Sequence, residues 1–449
     1  MQKSLIAVLI ASALTSFSAQ AADLIQVYQL ALSNDSQYAS ARAALAAGQE
    51  KVNEGRAGLL PLIGLSGSNT RNNGQFLPTG LGGQVAIPGT GQLIDITSSN
   101  SSYHNNNYTL TLTQPLFRWA NWQQYQQSKL AQAASESQFA QAQEDLIVRV
   151  AQAYFDVLTA QDNLASTRAQ KEATAEQLAS AKRNFEVGTQ TITDTHEAQA
   201  AYDLVVAQEF AAINDLDNKR TALQAIVGQS PASLATLRTG VMLSAPQPTA
   251  IETWISSAEQ QNYTVATAQF TLESAMRDIQ INRAGHYPTV DLIANTGRSY
   301  ITGYGQQNSN AVGVQWSIPL FSGFAVTSKV RESIALEDKA RNDLETARRN
   351  ASLNARQAYL GVVSGLAQVK ALEAGEVSSQ SALDSNKLGY QVGVRINIDV
   401  LNAQKQLYAT QKDLSKARYD TIMNGLKLKS AAGTLKDSDL EPINALLQK

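Results

Sequence analysis

Between Ala120 and Val187 the chain contains neither proline nor glycine. Within that stretch Leu146, Val150, Ala153, Val157, Ala160 and Leu164 are spaced 4-3-4-3-4, the apolar seam of a heptad. Its 68 residues predict one helix about 100 Å long, far beyond a globular helix and suited to coiled-coil packing. Residues 194–227 continue as a helix of about half that length. Ahead of them, residues 22–58 carry Leu24, Tyr28, Ala31 and Leu32 on one helical face. The period then changes. Leu62 to Thr70 reads as extended, and Tyr108-Thr-Leu-Thr-Leu-Thr113 alternates as a half-buried strand that Gln114-Pro115-Leu116-Phe117 closes. Residues 71–107, crowded with Gly, Asn, Ser, Thr and Pro, predict a long loop.

The second half repeats this order. Residues 251–284 are helical, 290–300 and 311–318 are strands around a short polar loop at 301–310, and Val312, Val314, Trp316 and Ile318 alternate in the last. His286-Tyr-Pro288 answers Leu59-Leu-Pro61, and Pro319-Leu-Phe321 answers Pro115-Leu-Phe117. Gly188 and Gly393 stand 205 residues apart, as do Asp194 and Asp399, Tyr154 and Tyr359, and Gly228 and Gly433. At the same offset the seam becomes Ala351, Ala355, Ala358, Val362, Gly365 and Val369. So many coincidences in one register establish an internal duplication. The domains expected are a signal peptide at 1–21, a first repeat at 22–228, a linker at 229–250 holding Pro231, Pro246 and Pro248, a second repeat at 251–433, and a tail at 434–449.

The two glycines open the most conspicuous pair of matched segments, Phe185-Glu-Val-Gly to Glu197 and Tyr390-Gln-Val-Gly to Asn402. Glycine supplies the left-handed residue after a helix end, and a Thr or Asp caps the helix that follows. Asp194 with Glu197 has capping-box spacing. A pair of well-capped helical hairpins explains both turns without any further role.

Composition narrows the class. Charged residues are 16% of the 449, the net charge is −2, and no Lys/Arg-rich run appears, which speaks against nucleic-acid binding. Without cysteine there is no disulfide framework or thiolate metal site. Lys3, an apolar run from Leu5 to Leu14, and Ala19-Gln20-Ala21 form a secretory signal. No later run has the roughly 18 apolar residues of a spanning helix, so membrane insertion would fall to the strands. Four strands cannot close a barrel, and lipid does not tolerate open edges, so two or three protomers would have to share one. Two half-length helices laid end to end match one long helix, which places the glycine turns at one end and the strands at the other. Phe117, Trp119, Trp122, Trp316 and Phe321 then fall at the strand ends, where an interfacial girdle would sit; ordinary packing at the joins is the other explanation.

These residues resemble the TolC family of outer-membrane efflux and type I secretion ducts over essentially the whole mature length. The motifs are QPLF and IPLF, VGTQTITD, YQVGVRINIDVLNAQ and LKSAAGTL. The resemblance implies a mainly α fold with transmembrane β: coiled-coil-like hairpins forming an α-barrel, and four strands per protomer in a trimeric barrel of 12 strands. It implies a homotrimer in the outer membrane of a Gram-negative bacterium, extending into the periplasm in contact with lipid. A periplasmic adaptor and an inner-membrane RND, MFS or ABC transporter are the implied partners. It places Tyr390, Arg395, Thr193 and Asp194 at a gate latch, with the first two reaching the last two on the neighbouring hairpin. Asp399 falls at a constriction ring. Asn402 falls at a second ring position where well-known members carry Asp, which implies a weaker negative field and weaker block by multivalent cations. Val187, Gly188, Thr189, Val392, Gly393 and Val394 fall on the adaptor-docking tips.

The three histidines (His104, His196 and His286) show no metal-type spacing, and no G-x-S-x-G, H-E-x-x-H or phosphate loop occurs. No catalytic role, cofactor or metal is expected. The reading that competes with a duct is a periplasmic coiled-coil adaptor of an export complex, which shares the signal and the hairpins but not the paired strands.

Overall fold

The computed structural model describes residues 21–76, 84–86, 90, 92–95, 99–229, 233–238, 240–301 and 305–448. Nearly all of the expected signal segment, Pro231 of the linker, and parts of the 71–107 loop lie outside the described residues.

The helical elements are α1 (Leu24–Asn34), α2 (Ser36–Ala57), α3 (Trp119–Glu186), α4 (Ile192–Val227), α5 (Ile251–Gln261), α6 (Tyr263–Arg283), α7 (Ala325–Gln391), α8 (Asn397–Ala431) and the short α9 (Leu440–Asn444). The strands are β1 (Leu62–Phe76), β2 (Gln84–Ala86), β3 (Leu93–Asp95), β4 (Ser99–Phe117), β5 (Thr236–Leu237), β6 (Thr289–Ile301), β7 (Gly305–Ser317) and β8 (Leu447–Gln448). The expected order, helix, strand, strand, long helix, turn, half-length helix, is therefore present twice.

Each segment expected as a single helix ahead of the strands is in fact two helices, broken at matched positions. Asp35 is extended (φ −67°, ψ 119°) and its carboxylate accepts from the Tyr38 amide at 2.6 Å. Asn262 is extended (φ −63°, ψ 129°) and its Oδ1 accepts from the Thr264 amide at 2.9 Å. A short side chain that caps the next helix competes with continuation of the last one, and here it wins twice. The two breaks stand 227 residues apart, the spacing of Pro61 and Pro288 as well.

The chain divides into two compact units. The first comprises residues up to Gly48, Ala133–Phe270 and Arg341 onward. Its apolar core takes the expected first seam, with Leu146, Val150, Ala153, Val157, Ala160 and Leu164 all buried, together with Leu24, Val27 and Ala31 of α1. Phe155 stacks on Tyr419 with ring centroids 5.5 Å apart, and the buried Tyr154 hydroxyl donates to the Ala235 carbonyl at 2.7 Å. A two-residue ladder between β5 and β8 lies beside this core. The matched seam buries Ala351, Ala355, Val362, Gly365 and Val369.

The second unit, Gln49–Gln132 with Thr271–Ala340, holds a four-stranded antiparallel sheet in the order β1-β4-β6-β7. Its strands are longer than the alternation predicts. Pairing runs from Leu62↔Thr113 to Phe76↔Ser99, so both ends of the expected 71–107 loop belong to the ladder, and β6–β7 pairing runs to Ile301↔Gly305. The polar residues beyond Thr70 carry no apolar period, yet their backbone groups still pair. Gln114-Pro115-Leu116-Phe117 forms the last four residues of β4, with Pro115 tolerated by a register shift between Pro115 and Phe117. Successive residues of a strand face opposite sides, and Leu62 and Ile63 are both exposed, so the sheet of one chain covers neither of its faces there. Arg118 and Asp291 tie the start of α3 to β6 by a bidentate pair, Nε–Oδ1 2.8 Å and Nη2–Oδ2 2.7 Å. Among the described residues no helix is long and apolar enough to cross a membrane.

Candidate functional site

Two helix ends meet in each hairpin turn of the first unit. At the first, Gly188 (φ +77°) follows α3, its amide donating to the Phe185 carbonyl at 3.0 Å while the Thr189 amide donates to Asn184 at 2.9 Å. At the second, Gly393 (φ +80°) follows α7, with Gly393 to Tyr390 at 3.1 Å and Val394 to Gly389 at 2.8 Å. Both are Schellman ends, in which glycine takes the left-handed conformation that a Cβ would disfavour. A Cβ at either glycine would meet open space, so conformation alone selects glycine there. Around them Val187, Val392 and Val394 are exposed apolar side chains, and Thr189 is exposed with its hydroxyl donating to the Asn184 carbonyl.

The caps that follow differ from the sequence expectation. Asp194 is not the N-cap of α4; Thr191 is, with Asp194 at the third helical position. Thr191 Oγ1 accepts from the Asp194 amide at 3.4 Å, and the Asp194 carboxylate accepts from the Thr191 amide at 3.1 Å. Thr-x-x-Asp and Asp-x-x-Glu compete here, and the earlier one also satisfies the hydroxyl, which donates to Asp194 at 2.8 Å. The cap of α8 is Ile396, which makes no side-chain cap hydrogen bond.

Within the chain, the two tips are joined by side chains, most of which the sequence did not single out. Tyr390 donates its hydroxyl to Gln190 Oε1 at 2.7 Å and accepts from Asn184 Nδ2 at 3.5 Å. Asn397 Nδ2 donates to the Asp194 carbonyl at 3.0 Å, and its Oδ1 accepts from Gln177 Nε2 at 2.6 Å. Arg395, in the turn, reaches the helix that follows it, Nη1 lying 3.7 Å from Asp399 Oδ2, and its side chain folds over Gly389, where a Cβ would stand 2.7 Å from Arg395 Cγ. Thr193 is exposed. Of the four expected latch residues, then, Tyr390 and Asp194 take part in bonds between the hairpins, the latter by its backbone. Asp399 is half-buried and Asn402 exposed, three residues apart on one side of α8. Gln177, Asn184, Gln190 and Asn397 have no local signal, because each partner lies some two hundred residues away.

Tipward of the apolar seam, polar residues join apolar ones such as Leu178, Ala181 and Leu401 at the buried positions. Thr167, Gln170 and Thr174 of α3 and Asn397, Gln404 and Thr410 of α8 are all buried, and Gln404 Oε1 lacks a hydrogen-bond partner. Back along α3, within the apolar seam, Asp162 accepts from the Tyr419 hydroxyl at 2.9 Å, and burial pushes its carboxyl above the usual range.

In the second unit Phe117, Trp122, Trp316 and Phe321 are exposed and Trp119 is half-buried. Trp122 lies beside Tyr125 (5.9 Å) and Phe321 meets Phe324 edge-on (5.6 Å). Leu320 and Phe324, not anticipated, are exposed as well. Among the described residues, no group of three or more His, Cys, Asp or Glu could hold a metal ion.

The model of the outer membrane efflux protein family matches residues 27–229 and 254–434, one match per repeat. The chain belongs to the outer membrane efflux protein family. It is similar to outer membrane protein TolC of Escherichia coli, 34% identical over all of this chain and 90% of that protein. It is also similar to the proteases secretion protein PrtF of Dickeya chrysanthemi, 30% identical over all of this chain and 96% of that one. The crystal structure of outer membrane protein VceC from Vibrio cholerae superposes with a TM-score of 0.76 at 20% identity, covering 91% of this chain and 96% of that one. The efflux-family fold accounts for the duplicated hairpins and the four-stranded sheet together. The names of the family and of these relatives describe outer-membrane, efflux and secretion proteins.

Proposed function

We propose that this efflux-family chain is an outer-membrane exit duct, passively conducting drugs or secreted proteins delivered by an inner-membrane transporter. Three copies share one barrel of 12 strands, each giving the four-stranded sheet whose faces and outer strands are open in a single chain. The girdle at the lipid boundary is made by Phe117, Trp119, Trp122, Trp316 and Phe321. The helices close into an α-barrel across the periplasm, and the exposed valines at Val187, Val392 and Val394, with Gly188, Thr189 and Gly393, offer the surface for a periplasmic adaptor. An RND, MFS or ABC transporter supplies the energy and selects the cargo.

The observation that carries this reading is the likeness to TolC over the entire chain, including both hairpin tips. The tips form the gate. Tyr390, Arg395, Thr193 and Asp194 stand at its contact surface, and Asp399 with Asn402 lines its narrowest part. One carboxylate per protomer at Asp399, with a neutral amide at Asn402, holds a weaker field than two would. Planar-bilayer recording of the purified protein tests this. The expected result is a long-lived pore of small conductance and modest cation preference, which Asn402→Asp strengthens. Absence of any channel overturns the duct reading; a channel whose selectivity ignores Asn402→Asp moves the constriction elsewhere.

A further inference from the structure

Asn397 is the first residue of α8 and is fully buried, beside an apolar cluster of Leu178, Ala181, Ala198 and Leu401. The matched position of the first repeat, 205 residues earlier, is Ile192, an exposed apolar residue. The second repeat thus buries an amide where the first exposes a hydrocarbon. That amide spends both of its groups on the other hairpin, one on Gln177 of α3 (2.6 Å) and one on the carbonyl of Asp194 in α4 (3.0 Å). Tyr390 also crosses between hairpins, but its partner Gln190 sits at the turn, where water can replace it. The Arg395–Asp399 pair is long, largely exposed and internal to one hairpin, so it holds nothing across.

We infer that Asn397, clamped between Gln177 and the Asp194 carbonyl, is the main positioning residue that returns the α7–α8 hairpin to its closed seat against α3–α4. This rests on the reading of the tips as a gate. Moving one hairpin from the other breaks both hydrogen bonds of the buried Asn397 amide at once, while the half-buried Gln177 amide loses its partner and the Asp194 carbonyl falls back on its own helix. An unmade buried hydrogen bond is far costlier than a lost surface ion pair. The clamp acts within each protomer, so every subunit carries its own restoring element.

The test is the open fraction in planar bilayers of the purified wild-type protein and of Asn397→Ala, Gln177→Ala, the double variant, Tyr390→Phe and Arg395→Ala, with heat resistance of the oligomer measured in parallel. Asn397→Ala is expected to raise the open fraction roughly tenfold with the oligomer's heat resistance intact. Gln177→Ala is expected to raise it less, and the double variant to match Asn397→Ala, since the two share a bond. If Asn397→Ala gates as wild type while Arg395→Ala or Tyr390→Phe opens the pore, the clamp is wrong and the gate stands. If no variant changes the open fraction, the gate reading fails and takes the clamp with it. Should Asn397→Ala not assemble, Asn397→Leu fills the same space without hydrogen bonds and is judged by the same outcomes.

Discussion

In the first half of the chain, the break between the two short helices is made by Asp35, a buried carboxylate gripped by Arg149 at 3.0 and 3.1 Å. In the second half Asn262 makes the same break with a neutral amide, which donates to the Ala431 carbonyl at 3.0 Å, and the position matching Arg149 is the exposed Asn354. The contrast recurs along the duplication. Glu144 is buried and accepts from the Leu435 amide at 3.1 Å, whereas the matched Arg349 is exposed and pairs with Glu345 on its own helix. At the tips, Thr191 and Asp194 cap the first return helix, whereas the second starts at Ile396 without a side-chain cap. The backbone features are the same in both halves: a break, a seam, a glycine turn. What differs is where charge is buried. At the tips, the first return helix is capped by its own side chains, while the second is bonded to the first through Asn397.

The largest test of that asymmetry is Arg149→Ala. It leaves the Asp35 carboxylate, 4% exposed, with only backbone amides to hold it, and is expected to destabilise by about 3 kcal/mol. Asn354→Ala at the matched surface position is expected to stay within about 0.5 kcal/mol. Thermal unfolding of the purified protein followed by circular dichroism compares them, and equal losses would erase the asymmetry. Burial raises the Asp35 carboxyl, but Arg149 and the Tyr38 amide outweigh it and hold it below the usual range. A lowered carboxyl contributes stability above its ordinary range and loses it as pH falls.

Glu144 has the opposite sign and a different window. Burial pushes it up to about 7, against the Leu435 amide and the Ser430 hydroxyl, with Asp145 adding repulsion. Between the ordinary carboxylate range and that value, the folded chain keeps a proton that the unfolded chain has lost. Stability therefore falls as pH rises through the window. Glu144→Gln keeps the acceptor and removes the titration, so its slope there is expected to be clearly shallower, whereas Arg349→Ala leaves the wild-type slope. A slope undiminished by Glu144→Gln assigns the effect to another group, such as Asp162, which burial also raises.

Much of this was legible in the sequence, and the reason is period. The 4-3-4-3-4 seam, the two glycine turns and the 205-residue register each rest on local patterns repeated twice. The strand ends were not legible. Beyond Thr70, residues such as Asn72 and Asn73 face Tyr103 and Ser102 in a ladder held by backbone pairing, with no apolar alternation to mark it. The helix break at Asp35 lies in Ser33-Asn34-Asp35-Ser36, cap-favouring residues masked by the apolar face of Leu24, Tyr28, Ala31 and Leu32, and the break at Asn262 depends on one side chain. The least legible feature was the polar contact between the tips. Nothing near Asn397 announces that Gln177 will meet it, although an Asn where the first repeat has Ile192 is a signal that the register itself provides.

The smallest effect concerns the caps, and it asks directly whether the second hairpin depends on the first. Thr191→Ala removes the side-chain cap of α4 and is expected to cost about 1 kcal/mol, read as faster amide hydrogen exchange in the first turn of that helix. The same substitution also loosens Asp194, which loses both bonds to the Thr191 hydroxyl and keeps only the backbone amide of residue 191, and whose carbonyl is the acceptor for Asn397. Exchange at the start of α8 is therefore expected to quicken too, by less. The reciprocal change, Ile396→Ser, gives α8 a hydroxyl at its uncapped N-terminus and is expected to slow exchange there by a few tenths of a kcal/mol to about 1 kcal/mol. It is expected to leave α4 untouched, because α4 draws its cap from Thr191 and Asp194 alone. If Thr191→Ala affects only its own helix, the two tips are independent hairpins that merely touch. If Ile396→Ser quiets α4 as well, the dependence runs both ways and the first hairpin is no longer the anchor of the pair.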